Sequence, residues 1–196
     1  DFAKNNNIWV LDDAAQSFGW IHKDNNVGNL SEVTATSFFP AKPLGCYGDG
    51  GAVFTNDREI YELANSSHIH GMGKKRYEYD RIGMNARMDT IQAAILLEKL
   101  KIFPEELKKR QLVANNYYKN LSSLNIDIEL PKINKNCISS WAQYTIILPE
   151  KINRDKLQEY LKSKNIPTAI YYPIPLNNHK PYNKYPVSKS GLNVTY

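Results

Sequence analysis

The amino-acid sequence predicts an α/β fold, because apolar stretches of strand length alternate with helical patterns. The run Ile8–Leu11 is short, continuous and apolar, which is typical of a buried parallel strand, although a buried helix segment shows the same pattern. Thr34–Phe39 is rich in β-branched and aromatic residues and predicts a second strand. Ala52–Thr55 predicts a third, and Asn56–Ser67 follows as a helix with Asn56 as its N-cap. This order of strands and helices indicates a layered α/β architecture.

A long apolar pattern after the third strand predicts the main helix of the chain. Asp89 begins it, and Gln92 stands at the spacing of a capping box. Pro104 is expected to break or restart the helix, because proline removes a backbone donor and clashes with the preceding turn. A second, more polar helix is predicted over Glu105–Leu121. Apolar side chains lie nearly all round the first helix and predict that it is buried: Ile91, Ala94, Ile95, Leu96, Leu97 and Leu100.

The last third of the chain predicts a β-α-β unit that forms a separate small domain. Tyr144–Leu148 is predicted as a strand, and Asn153 can cap the helix that follows. Pro167 ends that helix, and Thr168–Tyr172 is predicted as another strand.

The composition is that of an ordinary globular protein. The chain has 196 residues, a formal charge of +5, 42% apolar residues and 23% charged residues, which excludes disordered, collagen-like and coiled-coil chains. Its longest apolar run, Ala93–Leu97, is far shorter than the about 18 residues that a membrane span needs, so no membrane segment is expected. There is no secretory signal pattern, and two cysteines are too few for a disulfide scaffold. These features predict a cytoplasmic protein.

Neither nucleic-acid binding nor a metal site is indicated. Basic residues are spread along the chain, and the densest cluster, Lys108–Arg110, follows two glutamates as a solvated helix face does. No zinc spacing, helix-turn-helix or RNA-binding signature is present. His68 and His70 are a weak pair of metal ligands without a third member, so no metal is predicted.

The glycine-rich loop after the second predicted strand is the segment that points to chemistry. Lys42 lies there between Pro40 and Pro43, whose rings stiffen the loop and bias Lys42 toward extended backbone. A lysine on a stiff loop suits a nucleophilic amine that holds a Schiff base in register. The alternative is an ordinary surface lysine in a glycine-rich turn, since the loop is neither a Walker loop nor a GxGxxG motif. Ser37, five residues earlier, can bind a phosphate oxygen or can be a simple turn residue.

Two acidic residues close the first predicted strand. Ligands of open α/β sheets bind outside the carboxyl ends of the strands, and Asp12 and Asp13 stand at that place. An aspartate there can keep the pyridine nitrogen of pyridoxal phosphate (PLP) protonated, and Gln16 can bond the ring hydroxyl. Alternatively, either aspartate caps the next helix. The spacing alone does not decide between these interpretations, nor between the two aspartates.

Four segments together resemble the DegT/StrS family of nucleotide-sugar aminotransferases, which are PLP enzymes of fold type I. They are DDAAQ (12–16), SFFPAKPLGCYGDGGA (37–52), RIGMNARMDTIQAA (81–94) and YYPIPL (171–176). The resemblance implies part of the large domain, with a mainly parallel sheet, over residues 1–103. A linking helix and a small C-terminal α+β domain would occupy residues 104–196. It also implies that the family's N-terminal part is missing, so that this chain alone is expected to be inactive and to bind PLP poorly.

The resemblance assigns the cofactor-binding residues. Lys42 would form the Schiff base with PLP and shuttle protons as the catalytic residue. Asp13 would pair with the pyridine nitrogen, Gln16 would contact the ring oxygen, and Ser37 would bind the phosphate. Asn85 would reach the phosphate bound by the partner subunit of a homodimer.

The resemblance also implies the substrates. Arg87 and Tyr172 would contact the nucleotide-sugar, and guanidinium suits planar anions. Asn177 stands where the family often has a histidine, so one substrate contact is expected to be made differently.

The resemblance implies an amino transfer from glutamate to a keto group of a nucleotide-linked sugar, at C3, as in a UDP-3-keto-hexuronate. Such a reaction would serve surface-polysaccharide or related glycan biosynthesis. The alternatives are amination at C4, or a non-catalytic protein that keeps the fold for regulation or assembly.

Overall fold

The computed structural model of the protein describes residues 2–23 and 25–193. It has two compact units, one up to Ile147 and one from Leu148 onward. The elements follow in this order: α1 (Phe2–Asn5), β1 (Leu11–Asp13), β2 (Ile21–His22), β3 (Asn25–Asn26), β4 (Val33–Ser37), β5 (Gly51–Thr55), α2 (Arg58–Ser67), α3 (Thr90–Ser122), β6 (Cys137–Ile138), α4 (Arg154–Ser163) and a 3-10 turn (Leu176–Asn178). No helix in the parts of the chain that the structure describes is long and apolar enough to cross a membrane.

The main sheet has the strand order β1-β4-β5, and β2, β3 and β6 form a small antiparallel sheet. β1 is parallel to β4, as predicted, whereas β4 and β5 are antiparallel, so this sheet is mixed rather than mainly parallel. The first strand begins at Leu11 instead of Ile8, because β1 pairs with β4 over only three residues. The expected burial of the Ile8–Leu11 run is wrong for this chain: all four of its residues are exposed.

The two faces of the main sheet differ in burial. One face, here called the covered face, carries Asp12, Thr34, Thr36, Ala52 and Phe54, which the strand register places side by side. Thr34 and Thr36 are buried. The covered face lies against the apolar core of the first unit, which is formed by Phe38, Leu44, Cys46, Leu96 and Phe103, with Phe18, Ala52, Met88 and Leu107 packed against it.

The opposite face is accessible at the carboxyl ends of β1 and β4. Here called the open face, it carries Asp13, Ala35, Ser37, Gly51 and Val53. Asp13 is exposed and the Val53 side chain is 53% exposed. Candidate ligand-binding side chains at this end of the sheet therefore face outward.

The N-cap of helix α2 lies one residue later than predicted. Asp57, not Asn56, is the N-cap, and its carboxylate accepts a hydrogen bond from the backbone N–H of Ile60 at 3.0 Å. A carboxylate at this position also interacts favourably with the positive end of the helix dipole.

Helix α3 runs without interruption from Thr90 to Ser122, so the predicted break at Pro104 is wrong. Proline costs an internal helix about 3 kcal/mol. Phe103 before it is buried in the core, and Leu107 one turn after it packs against the same core. These contacts on both sides of Pro104 offset the cost and hold the two halves in one helix.

The predicted burial of α3 is also wrong for most of its apolar side chains. Leu96, Phe103 and Ala114 are its buried residues, whereas Ile91 and Leu97 are more than 60% exposed. Only one side of the helix faces the core of this unit.

The capping box predicted at the start of α3 does not form. Asp89 occupies the N-cap position but makes no side-chain capping bond. Gln92 instead accepts a hydrogen bond from the backbone N–H of Tyr47 at 2.8 Å. A contact with a loop 45 residues away in sequence thus replaces the local one.

The predicted cap of α4 is confirmed, whereas the strands predicted before and after this helix are wrong. Asn153 caps α4 by accepting a bond from the Lys156 N–H at 2.9 Å. Thr168–Tyr172 forms no strand. Tyr144–Leu148 forms none either and has a single bridge, between Ile147 and Glu129. A strand needs a neighbour along its whole length to pair its backbone groups, and the described residues offer none here.

The predicted domain boundary, between residues 103 and 104, lies inside the continuous helix α3. The division seen in the described chain comes later, after Ile147. How the large and small domains divide in a longer protein stays a prediction.

Candidate active site

Hydrogen bonds to β4 hold the loop after β1 in place. The Ala14 N–H donates to the Ala35 carbonyl at 2.7 Å. The buried Thr36 hydroxyl donates back to the Ala14 carbonyl at 3.0 Å. Ala14 is 1% exposed. This exchange fixes the residues on either side of Ala14, including Asp13, relative to the carboxyl end of β4.

The structure places the two neighbouring aspartates on opposite faces of the sheet. Asp12 pairs with Thr34 on the covered face, and its Oδ2 is buried without a hydrogen-bond partner among the described residues. Asp13 pairs with Ala35 on the open face and is exposed. One Asp13 oxygen accepts a bond from the Ala15 N–H at 3.0 Å. Of the two, Asp13 is therefore the aspartate that a ligand on the open face can reach.

Ser37 lies on the same open face as Asp13, at the end of the adjacent parallel strand. It stands two residues beyond Ala35, the partner of Asp13, and opposite Gly51. Its hydroxyl oxygen accepts a long hydrogen bond from the Phe39 N–H, at 3.3 Å. The hydroxyl proton remains available to donate to an anion, and Gly51 places no side chain beside it.

Lys42 projects from a loop whose next four residues are buried. Its N–H donates to the Phe39 carbonyl at 2.9 Å, and the Lys42 residue itself is half-buried. The Cys46 N–H donates to the Phe38 carbonyl at 2.8 Å, and the Cys46 side chain is 1% exposed in the core. The loop is therefore closed onto the end of β4 on both sides of Lys42.

At Gly45 the loop folds back closely onto its own backbone. A Cβ on Gly45 would lie 2.5 Å from the Pro40 carbonyl oxygen and 2.8 Å from that of Phe39. No side chain fits at that distance, so only glycine lets the chain fold back over the segment that leads to Lys42.

Gln16 lies three residues beyond Asp13 and is exposed. Its backbone carbonyl accepts a bond from the buried Ser140 hydroxyl at 3.3 Å. The tertiary structure thus ties its backbone down and leaves its side chain accessible.

Asn85 and Arg87 are held together by a hydrogen bond. The Arg87 Nε–H donates to the Asn85 Oδ1 at 3.0 Å, and both side chains are exposed. Since the amide oxygen is engaged by Arg87, the Asn85 NH2 group is the part of this side chain that is left to donate to a ligand. The terminal nitrogens of the guanidinium remain free of this bond.

Tyr172 belongs to the C-terminal unit. It is exposed, and its ring packs edge-on against that of Tyr171 with a centroid distance of 5.7 Å. In the described residues, no group of three or more His, Cys, Asp or Glu side chains could hold a metal ion.

Residues that the sequence interpretation missed lie on α3. Gln92 was expected in a helix cap, and Lys99 was not singled out. Both bind the Lys42 loop: Gln92 accepts from the Tyr47 N–H, and Lys99 donates to the Gly45 carbonyl. The available signal was their spacing of seven residues, which places them on one helix face.

Comparison with known proteins decides the family. Residues 1–195 match the DegT/DnrJ/EryC1/StrS aminotransferase family. The chain belongs to this family. It is 52% identical over 170 residues to the UDP-2-acetamido-2-deoxy-3-oxo-D-glucuronate aminotransferase of Pseudomonas aeruginosa, a match that covers 87% of this chain and 46% of that protein.

Two further relatives of this DegT-family chain are informative. A pleiotropic regulatory protein of Geobacillus stearothermophilus is 38% identical over 176 residues, or 89% of this chain and 46% of that protein. The crystal structure of a DegT DnrJ EryC1 StrS aminotransferase from Brucella abortus has a TM-score of 0.91 and 43% identity over 99% of this chain and 50% of that one. The chain thus spans about half the length of these relatives. The expected fold class, part of a type I PLP-dependent transferase, is confirmed.

The donor types at this end of the sheet and on the following loop fit PLP, the cofactor of this family's aminotransferases. Asp13 offers a carboxylate, Ser37 a hydroxyl and Lys42 a primary amine. These three are the donor types that the cofactor needs. All three lie at the carboxyl ends of β1 and β4 or on the loop that leaves β4.

Proposed function

We propose that the full-length protein containing this chain is a PLP-dependent aminotransferase acting on a nucleotide-linked sugar. One observation carries the proposal: Asp13 and Ser37 share an accessible sheet face at the ends of adjacent parallel strands. The closed loop with Lys42 begins directly after Ser37. The 52% identity to an aminotransferase named for a 3-oxo nucleotide sugar supports a keto group at C3 as the acceptor.

When bound, PLP supplies the electron sink for amino transfer. Lys42 would hold the cofactor through its ε-amine and then carry the proton between carbons. Asp13 would keep a proton on the pyridine nitrogen, and Gln16 would donate to the ring oxygen. Ser37 would donate its hydroxyl proton to the phosphate. Each of these roles uses a group that the structure leaves accessible or half-buried.

The remaining site residues would bind the substrate and complete a second site. Asn85, whose amide oxygen is engaged by Arg87 and whose NH2 group is left to donate, suits the phosphate bound by a partner subunit in a homodimer. Arg87 suits a carboxylate or phosphate of the nucleotide-sugar through its terminal nitrogens. Tyr172, in the C-terminal unit, stays a substrate-binding residue of this proposal. We take glutamate as the amino donor, as the family resemblance implies. We take the cytoplasm as the location, because two cysteines in 196 residues are too few for a disulfide scaffold.

A regulatory role without catalysis is the second candidate. It is favoured by the 38% identity to a protein named as a pleiotropic regulatory protein. Lys42 argues against it, because a fold kept only for regulation has no need of an amine on a closed loop. Mutation of Lys42 separates the two candidates.

The test is the glutamate half-reaction of the full-length protein, followed by the visible absorbance of bound PLP. In the wild-type protein, glutamate should change the absorbance of the bound PLP. In Lys42→Ala, glutamate should leave that absorbance unchanged. Lys101→Ala is the matched control, because Lys101 is 67% exposed and, among the described residues, pairs only with Glu98 on α3. A wild-type protein that gives no glutamate-dependent change would show that the aminotransferase proposal is wrong.

Product analysis then identifies the acceptor. UDP- and dTDP-linked sugars with a keto group at C3 or C4 are supplied together with glutamate. We expect the amino group at C3 of a UDP-linked sugar. Amination at C4 alone would overturn the C3 assignment and leave the aminotransferase proposal intact.

A further inference from the structure

We propose that Gln92 and Lys99 are positioning residues that clamp the Lys42 loop onto helix α3. The catalytic consequence rests on the proposed function, whereas the clamp itself is a property of the polypeptide. The two side chains are seven residues apart, about two helical turns, and contact two successive parts of one loop.

Gln92 holds the loop at Tyr47. Its Oε1 accepts a hydrogen bond from the Tyr47 N–H at 2.8 Å. The other end of the same amide lies against Gly48, where a Cβ would be 2.9 Å from the Gln92 Nε2. The absence of a side chain at residue 48 is therefore what allows the amide to lie this close to the loop.

Lys99 holds the loop at Gly45. Its ammonium donates to the Gly45 carbonyl and lies 5.8 Å from the centroid of the Tyr47 ring. The residue is half-buried, and within the described ranges it has no carboxylate at salt-bridge distance. A cation withdrawn from water needs compensation, and here a backbone carbonyl and an aromatic face provide it. The lysine thus binds the loop rather than an acidic partner.

The clamp complements the bonds on the other side of the loop. The N–H groups of Lys42 and Cys46 donate to the carbonyls of Phe39 and Phe38, which ties the loop to the end of β4. Gln92 and Lys99 tie its far side to α3. Lys42 therefore lies on a loop that is anchored to two elements. Such support keeps a reactive group within the narrow geometry that catalysis requires.

Hydrogen–deuterium exchange of the cofactor-free, full-length protein tests the clamp directly. In Gln92→Leu and in Lys99→Met, the peptide covering residues 40–49 should exchange about fivefold faster, because each variant loses a hydrogen bond to that loop. Peptides covering β4 and β5 should exchange as in wild type. Lys101→Met is the control, since it removes an exposed cation two residues from Lys99.

Kinetics test the catalytic consequence. Both variants should lower kcat about 10- to 100-fold while the KM for the nucleotide-sugar stays near that of wild type. Gln92→Glu keeps the accepting oxygen and Lys99→Arg keeps a charged donor, so both should recover most of the rate. If the two residues had only a structural role, the variants would lower the thermal midpoint, and kcat would not fall selectively at an unchanged KM.

The outcomes separate the two proposals. Unchanged exchange in residues 40–49 of both variants would overturn the clamp, and faster exchange with a wild-type kcat would overturn the positioning role. A wild-type protein without a glutamate half-reaction would overturn the proposed function and the catalytic consequence. The exchange measurement still decides the clamp in that case, because it uses no cofactor. If one of the two variants does not fold, the other carries the same test.

Discussion

Asp13 and Ser37 lie on one face of the main sheet, at the carboxyl ends of two neighbouring parallel strands. Asp12, the neighbour of Asp13, lies on the opposite face with one carboxylate oxygen buried. Two chemically identical side chains next to each other in sequence therefore have different environments, and only Asp13 is accessible from the open face.

Replacing each aspartate by asparagine tests this assignment. Asp13→Asn should slow the glutamate half-reaction of the full-length protein about 100-fold or more, because a neutral amide no longer stabilises the positive charge on the ring nitrogen. Asp12→Asn should leave the rate near that of wild type and change the thermal midpoint instead. The reverse pattern, with Asp12 controlling the rate, would contradict the placement of the cofactor on the open face.

Thr36→Val should destabilise the protein, and Thr34→Val should not. The two threonines are buried on the same face, but only the Thr36 hydroxyl donates a hydrogen bond, to the Ala14 carbonyl. The Thr34 hydroxyl has no partner among the described residues. We expect Thr36→Val to lower the free energy of unfolding by about 1–3 kcal/mol and Thr34→Val to be neutral or stabilising. Equal losses in urea denaturation would show that the bond to Ala14 is unimportant.

Arg87→Lys should weaken substrate binding although it keeps the positive charge. The single ammonium nitrogen of a lysine cannot bond Asn85 and also bind both oxygens of a planar anion in the bidentate geometry that the guanidinium fork allows. The expected effect is an increase of about tenfold in the KM for the nucleotide-sugar, measured in steady-state assays. Arg58→Lys is the control, because Arg58 is 90% exposed and pairs, in the part of the chain that the structure describes, only with Glu62 on α2. A normal KM for Arg87→Lys would remove Arg87 from the substrate site.

Tyr144 should contribute to loss of stability at alkaline pH. Burial raises the pKa of its phenol above the ordinary value of 10.0, with a smaller contribution from Tyr118. Its hydroxyl has no hydrogen-bond partner within the described ranges. Because the folded pKa is the higher one, this contribution is fully present below pH 10.0 and is lost as the pH rises through the folded value.

Denaturant unfolding of Tyr144→Phe measures that contribution. The variant should be as stable as wild type or more stable at neutral pH, since it removes an unpaired buried hydroxyl. Its free energy of unfolding should fall less steeply above pH 10.0 than that of wild type. Tyr160→Phe, at a 59% exposed ring, is the control. Identical pH profiles for wild type and Tyr144→Phe would show that Tyr144 does not contribute to the loss of stability at alkaline pH.

Features that depend on neighbouring residues were predictable from the sequence. The strands at Val33–Ser37 and Gly51–Thr55 follow from local side-chain preferences, and the Asn153 cap follows from its place before a helical pattern. The Lys42 loop and the family were recognisable because the residues of each motif are contiguous in the chain. The predicted strands near residues 144 and 168 failed, since a strand also needs a partner that its own sequence does not encode.

The sequence by itself therefore determined the α/β class, the family and the segment that carries Lys42. Only the tertiary structure decided which aspartate is accessible, because that depends on which face of the sheet the core covers. It also decided that α3 continues through Pro104 and that Gln92 binds Tyr47 rather than its own helix end. In each case the deciding free energy comes from contacts between segments far apart in sequence, which local propensity does not contain.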